Sequence, residues 1–138
     1  MTTAGDTVAK VHHLPCNIEH TGTAPVASYF MPNDTGTVVD GLPIQEAAFR
    51  GRRLKGVQLP LPAGFCGHLL QRASDGHEHK QPWSSISFFD GFTYWNHDAT
   101  PVKTDPLRKV VDWLELSQKL HHAITADQIQ EQIQQKGL

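Results

Sequence analysis

The sequence predicts a mainly β domain of barrel type, completed by an α-helical segment at its C-terminal end. Three observations point there. Between Val11 and Asn96 the apolar runs are short and separated by Gly, Pro, Asn and Asp. Several of these runs are apolar at both odd and even positions, so they need cover on both faces. Towards the C-terminal end, from either Asp105 or Asp112 onward, the apolar spacing changes from strand-like to the three-and-four step of a helix.

Taken in order, residues 1–10 are small and polar and read as a flexible tail, with one domain spanning 11–138. Candidate strands lie at about 11–18, 24–31, 44–50, 54–59, 65–72 and 84–96. Asn33-Asp34-Thr35-Gly36 and Pro62-Ala63-Gly64 are turn signals, and Ser74 to Lys80 is a polar loop. In 24–31, Val26 and Phe30 oppose Ala27, Tyr29 and Met31. In 65–72, Phe65 and Leu69 oppose Cys66 and Leu70. In 84–96, Ile86, Phe88, Phe92 and Tyr94 oppose Phe89 and Trp95, with Gly91 at a bulge or bend. Such strands fit a closed barrel with a packed helix, or a barrel shared with another subunit. The helical segment, about 113–136, has two available starts: the capping-box pattern Asp112-Trp113-Leu114-Glu115, or Asp105-Pro106 with proline at the first helical position. A second short helix begins at Thr125, with Gln128 three residues on, and ends at Gly137.

Composition narrows the function. A chain of 138 residues is one domain. No apolar run approaches the ~20 residues that span a bilayer, so no membrane partner is expected. Residues 1–10 show neither a secretory signal nor a transit peptide, and residence inside the cell is the expectation. The two cysteines, Cys16 and Cys66, are expected to be reduced and buried. The formal charge of -2 argues against autonomous nucleic-acid binding, which usually brings a basic excess over the whole domain.

No catalytic constellation emerges. The nine histidines include His77 and His79 in the polar loop, but no pairs at zinc-site spacing, and no metal ligands are assigned. Cys66 falls in an apolar run where a thiol is inert. There is no Gly-x-Ser-x-Gly elbow and no phosphate-binding glycine loop. The carboxylates are scattered singly rather than gathered for a two-metal site. The aromatics Phe88, Phe89, Phe92, Tyr94 and Trp95 are not interleaved with cations, so they read as core rather than a base-stacking platform. What stands out is Phe49-Arg50-Gly51-Arg52-Arg53-Leu54-Lys55-Gly56, with four cations in six residues. Arginine forks there suit carboxylates or phosphates.

Four blocks of the chain carry a resemblance. The first is Leu14-Pro15-Cys16, Gly22, Ala24-Pro25-Val26, Tyr29-Phe30 and Pro32. The second is Phe49-Arg50-Gly51-Arg52, Leu54, Gly56, Leu59, Pro62, Gly64 and Gly67. The third is Phe89, Phe92-Thr93 and Trp95. The fourth is Pro101, Trp113, Leu116 and a helix around His121. In this order, over about residues 14–124, they resemble the C subunit, the small non-catalytic component of eukaryotic type 2 ribonuclease H.

The resemblance implies a nuclear heterotrimer of A, B and C subunits. The A subunit would hold the carboxylates and Mg ions, and would cut the RNA strand of RNA–DNA hybrids or DNA at embedded ribonucleotides. This chain would hold no cofactor and have no catalytic residue. The B and C subunits would interweave into a triple barrel, with C between A and B. Arg50, Gly51, Arg52, Arg53, Leu54 and Lys55, with Tyr29 and Phe30, become candidate partner contacts. Cys16, Phe49, Phe89, Phe92, Trp95, Trp113 and Leu116 become candidate structural residues. The stretch between Leu70 and Trp83 is shorter than the acidic insertion many relatives carry. The rival reading is a stand-alone oligonucleotide-binding barrel.

Overall fold

The structure, a computed structural model, describes residues 8–72 and 83–137; the His77–His79 loop lies outside them. Among the described residues, seven strands and three helices follow in chain order: β1 (Val11–His13), α1 (Val26–Tyr29), β2 (Asn33–Val39), β3 (Leu42–Phe49), β4 (Arg52–Pro60), β5 (Gly67–Arg72), β6 (Trp83–Phe89), β7 (Gly91–His97), α2 (Pro106–His121) and α3 (Ala126–Gln135). The fold is mainly β. One sheet has the order β1-β7-β4-β3-β2, and β5 and β6 form a separate two-stranded sheet. Neither closes into a barrel within this chain. All pairings between these strands are antiparallel except β1 with β7, where Val11 sits opposite Phe92.

The expected strand at 24–31 is instead a single helical turn. Phe30 N–H donates to the Val26 carbonyl at 2.8 Å, which points Phe30 inward and leaves Tyr29 outside. The expected 11–18 strand shortens to three residues, because Pro15 lacks the N–H a continuing ladder needs. The expected 84–96 strand divides at Asp90-Gly91 into β6 and β7. A Cβ at Gly91 would lie 2.9 Å from the Leu59 carbonyl oxygen, so only glycine lets the strands approach there. The Asn33–Gly36 turn signal falls inside edge strand β2. Its pairing slips between Asp34 and Val38, and the Thr35 hydroxyl donates to the Ile44 carbonyl at 2.8 Å. An edge strand can absorb such a bulge because one side needs no ladder.

Two clusters fill the two faces of the five-stranded sheet. On one face Phe30, Ala47, Leu54 and Trp95 pack together, with Leu14 and Phe49 against them. On the other, Ile44, Val57, Leu59 and Tyr94 meet Leu107 and Val111 of α2. The central strands β4 and β7 are therefore apolar on both faces and covered on both within the chain. The β5–β6 hairpin is not: Leu69, Leu70, Trp83 and Ile86 are exposed.

Of the two candidate helix starts, the structure uses Asp105-Pro106, seven residues before 113. The Asp105 carboxylate does not cap the helix. It accepts from the Asn96 amide at 2.9 Å and from the Val102 N–H at 3.1 Å, tying the loop to β7. The start at Thr125 is as expected, with its N–H donating to Gln128 Oε1 at 3.1 Å.

Candidate functional site

The basic segment is organised by a two-residue hairpin turn. Arg50 and Gly51 both take left-handed backbone angles, φ 49 and 74, and join β3 to β4. This is the turn whose twist matches flanking antiparallel strands, and it normally carries Asn-Gly or Asp-Gly. Asp40-Gly41, at φ 51 and 78, makes the same kind of turn between β2 and β3. A long side chain at Arg50 costs about 1–2 kcal/mol of local backbone strain. The turn fixes the register: Phe49 opposite Arg52, Ala48 opposite Arg53, Ala47 opposite Leu54 and Glu46 opposite Lys55.

Strand alternation then sorts the cations. Arg53 and Lys55 lie on the Val57 face. Arg53 Nη2 donates to Glu46 Oε1 at 2.8 Å, and this contact holds the guanidinium above its ordinary range. Arg52 lies on the opposite, Trp95 face. It has neither an ion pair nor a side-chain hydrogen bond among the described residues, and Arg50 has only the Phe49 ring, 5.5 Å from its Cζ. So the run of four cations contains one satisfied arginine and two arginines without a carboxylate.

Both of those arginines border a groove of about 510 Å³. Pro15, Cys16 and Asn17 line it, from the segment that leaves β1 after Leu14 docks on the Trp95 cluster. Phe49, Leu54 and His97 line it from β3, β4 and β7. No carboxylate among the described residues does. The first two sequence blocks, 34 positions apart from Cys16 to Arg50, thus meet in space. Nothing in its sequence surroundings singles out His97. It reaches the groove because β7 pairs it with Leu54, a relation visible only once the register is known.

The expected partner contacts divide. Arg50, Gly51, Arg52 and Arg53 lie at the turn and are exposed, Lys55 is half-buried, and Tyr29 is 77% exposed. Leu54 and Phe30 are corrections: at 3% and 7% exposure they belong to the core, since β4 alternation and the α1 turn aim both inward. Among the expected structural residues, Trp95 is fully buried, and a Cβ at Gly56 would lie 2.5 Å from its Cε3. Phe49, Phe89 and Phe92 are half-buried rather than enclosed, with the Phe89 ring lying over Gly67 in a space a Cβ would fill. Cys16 and Cys66 are exposed, not buried, because neither lies inside a central strand. Trp113 is 64% exposed and Leu116 is exposed as well. The Pro106 start explains this. Leu107, Val111 and Leu114 take the sheet-facing side, and at about 100° per residue Trp113 and Leu116 fall away from it.

His12 is tied into the Trp95 cluster. Trp95 Nε1–H donates to its Nδ1 at 3.1 Å, and its ring meets Phe30 edge-on at 5.2 Å. Burial, with help from Lys10, holds its pKa below the ordinary histidine value. Among the described residues no group of three or more His, Cys, Asp or Glu converges as a metal site would require, and no helix is long and apolar enough to cross a membrane.

Comparison with known proteins agrees with this picture of a surface-rich chain without a catalytic cluster among its described residues. The family model described as ribonuclease H2 non-catalytic subunit (Ylr154p-like) matches residues 10–82 and 71–120. The ribonuclease H2 C subunit of Bos taurus is 27% identical, the match covering 86% of this chain and 84% of the bovine protein. Its counterpart of the same name in Mus musculus is 26% identical over 89% and 87% respectively. An uncharacterized protein of Schizosaccharomyces pombe is 28% identical over 80% and 82%. The chain belongs to the family of ribonuclease H2 non-catalytic subunits.

Proposed function

We propose that this chain is the scaffolding C subunit of a nuclear heterotrimeric type 2 ribonuclease H. The A subunit would supply the carboxylates and the Mg ions, and would cleave RNA in RNA–DNA hybrids and DNA at misincorporated ribonucleotides. This chain would sit between A and B and contribute no catalytic group. The observation that carries the reading is the amount of large apolar surface a lone chain leaves open. Tyr29 at the end of α1, Met31 just after it, Leu69, Leu70, Trp83 and Ile86 on the β5–β6 hairpin, and Trp113 on α2 are all exposed. Isolated exposed apolar side chains are ordinary, but grouped ones mark interaction surfaces. The two-stranded sheet, apolar on both faces, would complete its cover with strands of the B subunit. The Arg50-Gly51-Arg52 turn would meet the A subunit, with any contact to the nucleic acid secondary.

Co-expression with A and B tests this. The expected outcome is a complex of the three chains on size exclusion, with hybrid cleavage that depends on this chain. Full activity and stability of A with B alone would refute the scaffold. Salt-dependent binding of oligonucleotides by the chain alone would favour the stand-alone barrel instead.

A further inference from the structure

The groove beneath the Arg50-Gly51 turn has a chemistry of its own. Its floor is apolar, with Leu54 in the core and Phe49 packed against it, and its rim carries Arg50 and Arg52. His97 stands on the same face. Neither arginine has a carboxylate partner among the described residues, although Glu46 lies two strand positions from Ala48 and pairs with Arg53 on the opposite face. Guanidinium groups left in this state beside an apolar floor are complementary to a carboxylate attached to something apolar. At about 510 Å³ the space accommodates one or two side chains, not a helix. The left-handed backbone at Arg50 points the same way, since asparagine would fill that turn with less strain.

We propose that this groove seats an acidic side chain of the catalytic subunit, Asp or Glu, together with the apolar residue next to it. The carboxylate pairs with the Arg52 and Arg50 forks, and the apolar neighbour covers Phe49 and Leu54. The proposal rests on the scaffold reading and assigns it a point of contact. A phosphate of the nucleic acid is the competing occupant, and it has no use for the apolar floor.

The three-chain complex provides the test. Arg52→Ala and Arg50→Asn remove the charges, and asparagine keeps the left-handed turn. Arg53→Ala, on the other face, is the control. The two groove variants are each expected to weaken association, about ten- to a hundredfold, with the catalytic subunit, while Arg53→Ala changes it little. Arg52→Lys is expected to recover part of the loss, because it keeps the charge without the fork. Cys16, exposed in the groove wall, offers a site for a photo-crosslinker in a Cys66→Ser background. The crosslinked peptide should contain Asp or Glu beside an apolar residue and should come from the catalytic subunit. Crosslinks to substrate alone, a peptide with no acidic residue, or undiminished association of both groove variants would each overturn the proposal. In those cases retention of the three-chain complex leaves the scaffold reading standing. If the unaltered chain fails to assemble, both fall.

Discussion

Two tryptophans give the sharpest separation between core and surface. Trp95 is fully buried between Phe30, Leu54 and the bare backbone of Gly56, and its indole N–H is donated to His12. Truncation to alanine removes the whole ring and leaves a cavity that β4 and β7 cannot close without breaking their ladder. It also strips the partner from His12 Nδ1. Large-to-small changes of this kind cost about 3–5 kcal/mol, much of the stability of a domain this size. Trp113 is 64% exposed on the side of α2 away from the sheet. Its truncation loses about a third of one side chain's burial and opens no cavity, so the cost to the free chain should stay near 0.5 kcal/mol, roughly that of a surface change. In the assembled complex the ranking changes, because a covered tryptophan is commonly worth about 2 kcal/mol or more at an interface. Urea unfolding of the free chain, followed by far-ultraviolet circular dichroism, measures the first pair of values. Titration of the chain with its partner subunits measures the second. Equal destabilisation of the free chain by Trp95→Ala and Trp113→Ala would show that α2 does not sit on the sheet through Leu107 and Val111. No effect of Trp113→Ala in either assay would remove that face from the assembly.

Three further outcomes follow from single contacts. Gly56→Ala drives a Cβ to 2.5 Å from a ring that has no room to retreat, and should cost about 1–3 kcal/mol in the same urea assay. Arg50→Gly relieves the left-handed backbone and should stabilise the free chain by about 1 kcal/mol, read as a higher urea midpoint, while weakening association with the catalytic subunit. For His12, the folded-state pKa lies below that of the unfolded chain, so the unfolded chain takes up the proton first as pH falls. The stabilising contribution is therefore complete above about pH 6.5 and declines as pH drops from there toward the lowered value. Asparagine at position 12 keeps an acceptor for the Trp95 indole but does not titrate. His12→Asn should flatten the stability profile below about pH 6.5 relative to the parent chain, and identical profiles would show that the Trp95 contact does not depend on the histidine's charge.

The β text of the chain is legible where strand runs are bounded by chemistry that acts locally. Pro62-Ala63-Gly64 makes its turn, with Gly64 at φ 87 and the Phe65 N–H on the Pro62 carbonyl, because proline and glycine restrict or free the backbone whatever surrounds them. The same is true of the Thr125 start of α3. Sequence reading fails where tertiary context chooses between two local options. Residues 24–31 carry strand-like residues, but docking Phe30 beside Trp95 and His12 needs a change of direction that one helical turn supplies. At the C-terminal helix both starts satisfy local rules. The decision lies in Asp105, whose carboxylate binds Asn96 and Val102, and in Leu107, which meets the sheet. Trp113 and Leu116 look like core residues only while the phase of the helix is open.

The basic segment shows why composition alone does not find the groove. A run of four cations reads as one patch, but a strand delivers alternate residues to opposite faces, and the hairpin pairs them with different neighbours. Arg53 is taken by Glu46 within the hairpin itself, seven positions away, so its charge is largely satisfied inside the chain. Arg52 is brought to the face where Leu54 and Trp95 are buried, and where the segment after Leu14 crosses to form a wall. Selectivity for an acidic residue beside an apolar one follows from that division. Four equivalent surface cations would attract any anion with a weight set by salt. Two guanidiniums over an apolar floor, with no carboxylate partner among the described residues, favour a ligand that carries both a carboxylate and something to bury.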